Sequence, residues 1–390
     1  MYATRNWQLD SVPNPSMWPH KLHTLVLTGS WHSHLIDFLP RSLTYLDLSC
    51  AYSGSRFPLP PNLETLIIQE NFEGISRLES LTSLEIGDRF FQILDLSVLP
   101  SSLRTLHLRR CYQELPINVL PTSLTSFTLG DNFNQKLHVG VLPCSLTYLS
   151  LGPCFNQELR AGVLPNSLLY LHLGEKFNQI FGRGILPASL LSLHFHFQSL
   201  FDQPITPSAL PTNLQILEFG ARFNSSFGLP ESLTHLIFGR YFNQVLSVGT
   251  LPFSLTRLEF GKHFNQPLWD QVLPPSLTCL KFTKNSLFNL VLIMPSSLRI
   301  AKFGKRLATS NVYYDFPAGC RNLQLYTNTP RHILRIPTKT SVEWYASSDE
   351  IVDLYEDFSS SSSDNEGDDE DEGDYYNDDA FDEEGDEDDE

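Results

Sequence analysis

A chain of 390 residues with 41% hydrophobic content has material for a sizeable core, and its 26 prolines and 27 phenylalanines are unusually many. The net charge of −17 is unevenly placed: 23 carboxylates lie between Asp349 and Glu390 with no Lys or Arg after Lys339, leaving 21 acids against 27 bases in the first 348 residues. No window reaches the ~20 apolar residues of a membrane helix, Met1 to Pro19 lacks the apolar stretch of a secretory signal, and the six cysteines show no paired spacing. An intracellular chain, cytoplasmic or nuclear, with reduced thiols is therefore expected.

Residues 1–20 carry Trp7, Met17 and Trp18 among prolines and are expected to cover the first coil of a repeat array. From Leu22 to Leu298 the phrase L-x-x-L-x-[LFI] recurs fourteen times, its starts 18 to 24 residues apart. Complete units read "SLTYLSLGPCFNQELRAGVLPN" from Ser145 and "SLTRLEFGKHFNQPLWDQVLPP" from Ser254. Such a fixed period marks a solenoid. The last two apolar positions alternate with polar ones, the period of a strand with one buried face. Each strand is too short to bury that face alone, so stacking one copy per coil builds a single curved parallel sheet of about 14 short strands. The fold class predicted over residues 21–303 is thus a leucine-rich-repeat-type solenoid with an extended, polyproline-like outer wall and little helix. Gly130, Gly152, Gly174, Gly220, Gly239 and Gly261 follow strands and are expected to let the chain turn off the sheet. The Leu-Pro pair ahead of each strand is expected to hold its residues extended.

An aromatic falls nine residues after nearly every strand start, from Trp31, Tyr52, Phe72, Phe90 and Tyr112 through Phe133, Phe155, Phe177, Phe223, Phe242 and Phe264; Phe201 and Phe288 are displaced by two. Stacked coil on coil, these rings predict an internal spine. Asn follows most of them (Asn134, Asn156, Asn178, Asn224, Asn243, Asn265, Asn289, with Asp202 once), which predicts a ladder of side chains bonded to the backbone of the next coil. The Ser of "P-x-S-L" recurs in most copies and is architectural, since a nucleophile would not be repeated around a solenoid.

Beyond Phe303 the period fades. Residues 304–346 keep apolar and aromatic positions, with Leu323 to Leu325 as a remnant strand, and are expected to cap the last coil. Residues 347–390 are too acidic and too poor in apolar groups to fold, so a disordered tail is expected.

The third and fifth positions of each copy face outward and define the expected binding surface. Aromatic, His and Ile residues there are the anchors that interfaces favour, which centres the candidate site on Tyr148, Tyr170, His172, His194, Ile216, His235 and Ile237. Weak, mixed charge along this face argues against nucleic acid as the ligand. His172, His194 and His196 have a spacing suggestive of zinc; without an evident carboxylate or thiolate to complete the set, neither metal nor cofactor is expected. No nucleophile elbow, P-loop or HExxH is present, so no enzymatic role is expected.

The pattern "FNQ-x-L…LP-x-SL" over residues 21–303 resembles the FNIP-repeat family, named for Phe-Asn-Ile-Pro; Phe264-Asn265-Gln266-Pro267 and Phe201-Asp202-Gln203-Pro204 come nearest to the tetrapeptide. The resemblance implies a leucine-rich-repeat relative of the kind abundant in social amoebae and amoeba-infecting giant viruses. Family members often carry an F-box ahead of the repeats, which would imply a substrate-recognition adaptor of a ubiquitin ligase; the roughly 21 residues before the first strand are short of one. The expected function is a non-enzymatic scaffold for protein partners on the sheet face. Sequestration of basic proteins by the acidic segment is the alternative.

Overall fold

The structure, a computed structural model, describes residues 21–26, 31–32, 39–49, 52–53, 59–70, 74–89, 94, 98–304, 313–326, 329 and 333–345. The expected N-terminal cover, the acidic tail, Phe72 and Phe90 lie outside the described residues, as do the side chains of Trp31 and Tyr52.

Among the described residues sixteen strands form one sheet in which each pairs, in parallel, with the next copy along the chain. Fourteen of them coincide with the fourteen leucine phrases, from Thr24–Val26 to Ile300–Lys302. Register is held leucine on leucine: Leu149 sits beside Leu171, then Leu193, then Leu217. A slip by one residue would turn these buried leucines to the outer face, which is why the alternating pattern specifies the register so firmly. Two more strands, Asn322–Tyr326 and Ser341–Tyr345, extend the sheet beyond the last phrase. The first is the anticipated remnant; the second has "SVEWY" in place of the leucine phrase, and only its alternation betrays it. Behind them Tyr314–Asp315 pairs with Leu334–Arg335 on the opposite wall.

The core is one continuous file of inward leucines and phenylalanines. Phe133, Phe155 and Phe177 stack with ring centroids 6.0 and 6.1 Å apart, and the file continues through Phe201, Phe223, Phe242, Phe264 and Phe288 at 5.9 to 6.3 Å. The two displaced rings rejoin the file because each insertion brings a buried serine: Ser199 and Ser286 each accept the N–H of the phenylalanine two residues on, at 3.2 Å. Tyr112 departs from the expected spine. It is 57% exposed, and Cys111 fills the inward place instead. A second ring file was not anticipated: Phe195, Phe219, Phe238, Phe260, Phe282 and Phe303 close their strands, 5.3 to 5.8 Å from one another.

Polar ladders tie the coils lengthwise. The N–H of Asn156 donates to Asn134 Oδ1, Asn178 to Asn156, and so on through Asp202, Asn224, Asn243 and Asn265 to Asn289, at 2.8 to 3.2 Å. These side chains are half-buried or exposed rather than buried, so water reaches the ladder from one side. The recurrent serine forms a second ladder: the hydroxyls of Ser123, Ser145, Ser167 and Ser189 donate to the leucine carbonyl of the preceding coil at 2.6 to 2.7 Å. That is the architectural role expected of it.

Two local expectations are corrected. The glycines after the strands have ordinary negative-φ backbone; a Cβ at Gly152 would collide with the Gly130 carbonyl of the coil before. Glycine is needed there for close approach, not for turning. The left-handed turn lies on the outer wall, at Gly140 (φ 89°) and Gly162 (φ 84°), with Asn118 and Gln271 at corresponding places. The Leu-Pro pair likewise opens a tight turn, with Leu146 N–H donating to Pro143 O at 3.1 Å. Among the described residues helix is confined to 3-10 turns, at Ile75–Arg77 and at Ile333.

Candidate functional site

Along the sheet, the side chains between the buried leucines point to the outer face in two rows. One row runs Tyr148, Tyr170, Ser192, Ile216, His235, Arg257; the other runs Ser150, His172, His194, Glu218, Ile237, Glu259. All seven residues singled out in the sequence therefore share one surface. Tyr170 is the most open of them at 43% exposed, and the others are half-buried.

The rows pack along themselves. The Tyr148 ring meets His172 at 5.3 Å, and His172 stacks flat on His194 at 4.6 Å, 5° from parallel. Burial, with the neighbouring His194 imidazole, holds His172 down at about 4 against the opposing pull of Glu218. His172 is thus neutral at neutral pH. Burial and Arg257 lower His235, and burial raises the Tyr148 hydroxyl. The histidines do not converge for zinc. His194 uses Nδ1 on Glu218 Oε2 at 2.7 Å and Nε2 on Ser192 Oγ at 2.5 Å, while His196 lies beyond the strand against Phe197. Among the described residues no three His, Cys, Asp or Glu side chains are grouped to hold a metal.

Ser192, His194 and Glu218 have the order of a hydrolytic triad, but not its setting. Such chemistry needs an accessible hydroxyl and oriented N–H donors for the oxyanion. Ser192 is 1% exposed, and its own N–H is given to Leu169 O. The relay instead fixes the tilt of His194 and so the surface that the two imidazoles present.

Leu169 and Leu191 escaped the sequence reading, which took only the third and fifth positions. They stand one residue before Tyr170 and Ser192, in a row otherwise rich in threonine; Thr125, Thr147, Thr256 and Thr278 each donate a hydroxyl to the preceding coil at 3.1 to 3.2 Å. Both leucines are half-buried and widen the apolar ground beside Tyr170. Their departure from the repeat's own consensus was the available signal. Glu218 was missed for another reason: a carboxylate is read as a solvated charge until its partner is known.

Fold and surface together define a leucine-rich-repeat-type solenoid. The FNIP Repeat model matches residues 79–111, 113–154, 155–198, 201–241, 226–263 and 242–285, and the chain belongs to the FNIP-repeat family. Among solved structures it is similar to CroV588, a circular leucine-rich-repeat protein, at 31% identity and a TM-score of 0.55, over 84% of this chain and 64% of that one. This chain therefore spans less than two thirds of that protein. An internalin of Listeria monocytogenes shares the fold at 17% identity and a TM-score of 0.51, over 72% of this chain and 87% of that one. No curated protein matches the chain.

Proposed function

We propose that the chain is a non-enzymatic scaffold that binds protein partners on the outer face of its sheet, centred on Tyr148, Tyr170, His172, His194, Ile216, His235 and Ile237. The observation that carries this is local: rings and aliphatic chains collect on the middle coils of the face, from Tyr148 to Ile237. Aromatic anchors already held by stacking lose little side-chain freedom on binding. In this organisation residues 1–20 and 304–346 close the two ends of the array and residues 347–390 form a separate acidic segment.

The test compares the full chain with its Tyr170→Ser/Ile216→Ser variant as baits, each washed at low and high salt. Partners held through high salt by the parent and lost by the variant support the sheet face. A second reading rests on the 23 carboxylates after Ser348: the segment gathers basic proteins. Partners that survive the double substitution but leave with salt, or on replacing those acids by Asn and Gln, favour it, because screening weakens exposed charge pairs and spares apolar contact. If neither change matters, the scaffold reading fails.

A further inference from the structure

A second surface lies along the rim where the strands run out, and it is built differently from the sheet face. Three successive coils leave the sheet through Gly220–Phe223, Gly239–Phe242 and Gly261–Phe264, reading "GARF", "GRYF" and "GKHF". None of these loops contains an acid, whereas the equivalent loops "GDNF" from Gly130 and "GEKF" from Gly174 do. Backbone bonds align the loops: Ala221 N–H donates to Phe197 O, Tyr241 to Ala221 O and His263 to Arg240 O, each at 2.9 Å. The Arg222 and Arg240 guanidiniums lie 5.1 and 5.3 Å from the centre of the Tyr241 ring, and the His263 ring stacks on it at 4.9 Å. The charges acting on His263 are Lys262 and Arg240, both cations. On the coil before Arg222, Phe197 is 69% exposed and Leu200 43%.

From this we infer that the rim from Phe197 to Lys262 is a docking strip for an acidic, extended peptide segment that carries an apolar residue at one end. Arg222 and Arg240 are exposed yet oriented by the ring between them, so their planar forks are set for bidentate capture of carboxylates. Lys262 adds a point charge on the next coil. Phe197 and Leu200 supply the apolar end. The strip from Phe197 through Ala221 and Arg240 to Lys262 crosses about 14 Å at the spacing of adjacent strands, the length of roughly four extended residues. Nucleic acid shares the negative charge, but it draws on open aromatic faces for base stacking. The Tyr241 ring is already engaged by Arg222, Arg240 and His263, which leaves Phe197 as the one openly exposed ring of the strip. The strip is separate from the sheet face and stands or falls independently of it.

The experiment uses the full chain and a fluorescein-labelled peptide of one leucine followed by six glutamates, read by anisotropy at low ionic strength. The expected result is saturable binding, weakened at least tenfold by Arg222→Ala/Arg240→Ala and unchanged by Arg183→Ala on the outer wall. Arg240→Lys keeps the charge without the fork and is expected to weaken binding several-fold. Unfolding curves establish that each variant folds; should the double variant not, Lys262→Ala replaces it with an expected loss of threefold or more. The proposal is overturned by equal binding of a leucine–hexaserine peptide, by equal loss in Arg183→Ala, or by binding that ignores the rim substitutions. A single-stranded oligonucleotide that binds more tightly and is lost with the same arginines would assign the strip to nucleic acid instead.

Discussion

The coils from Leu103 to Leu173 and those from Leu190 to Phe303 follow the same backbone path around different contents. In the first group the strands end on Leu108, Leu129, Leu151 and Leu173, and a single file of rings runs behind them. In the second group they end on phenylalanine, and all of these rings but Phe303 lie close on a ring of the first file: Phe219 on Phe223 and Phe238 on Phe242 at 3.7 Å, Phe260 on Phe264 at 3.8 Å, Phe195 on Phe201 at 4.3 Å and Phe282 on Phe288 at 4.5 Å. The repeat therefore specifies where the chain goes and how far apart the coils stand, while the inward volume at the strand end is open to exchange. What the second group gains is ring-on-ring contact, about 0.5–1.5 kcal/mol per pair beyond burial. What it gives up is tolerance, since a ring with ring neighbours on several sides leaves a void that nothing can fill.

The largest effect should come from that difference. Phe242→Ala removes a ring in contact with Phe223, Phe227, Phe238 and Phe264, and is expected to cost ~4 kcal/mol or more in denaturant unfolding. Phe155→Ala, in the single file, is expected to cost ~3 kcal/mol. Equal melting of Phe155→Ala and the parent chain would overturn the buried spine itself. Exchanging the strand-end residues sharpens the contrast: Phe238→Leu and Leu151→Phe are each expected to cost about 1–3 kcal/mol, the first by lost contact and the second by overpacking. A near-neutral Leu151→Phe would mean the first group has room for a second file.

Smaller changes test the ladder common to both groups. Asn243→Ala deprives the Asn265 N–H and the Gln266 amide of an acceptor. Water can replace it at this half-exposed rim, so about 1 kcal/mol is expected. Asn243→Asp should cost less, because Asp202 already serves in the same ladder. On the outer face, His172 titrates near 4 when folded and near its ordinary 6.5 when unfolded. The unfolded chain then binds the extra proton between those values, so this residue's share of stability is whole above about pH 6.5 and is lost as the pH falls to about 4. The parent's stability should consequently fall more steeply than that of His172→Gln across that window; parallel curves would disprove a His172 held neutral by burial.

The leucine period sufficed to read the sheet, its register and the surface, because burying one face of a short strand admits few arrangements. What it concealed has local causes. The aromatic at position nine was counted forward from the strand, which put Tyr112 inside; counted back from the next wall leucine, Cys111 stands to Leu115 as Phe133 stands to Leu137. That coil has one residue fewer in its turn, and the tyrosine swings out. The glycine column could not be understood from one copy, since what excludes a side chain is the carbonyl of another. The seven face residues lie together as their positions required, but the Ser192–His194–Glu218 relay joins two strands and appears in neither alone.

The asparagine and serine ladders also bear on how the molecule would respond to force. Their bonds run from coil to coil, along the direction in which the strands are stacked. Tension applied at the two ends would load the coil junctions in series, each resisted by its backbone bonds plus its own set of side-chain rungs. Extension should then proceed by discrete releases of about one repeat's length, like links paid out from a chain, with the partially extended molecule still folded on either side of the open junction. Each release would bare one pair of ring faces, and each re-closure would be guided by the same rungs returning to the same carbonyls.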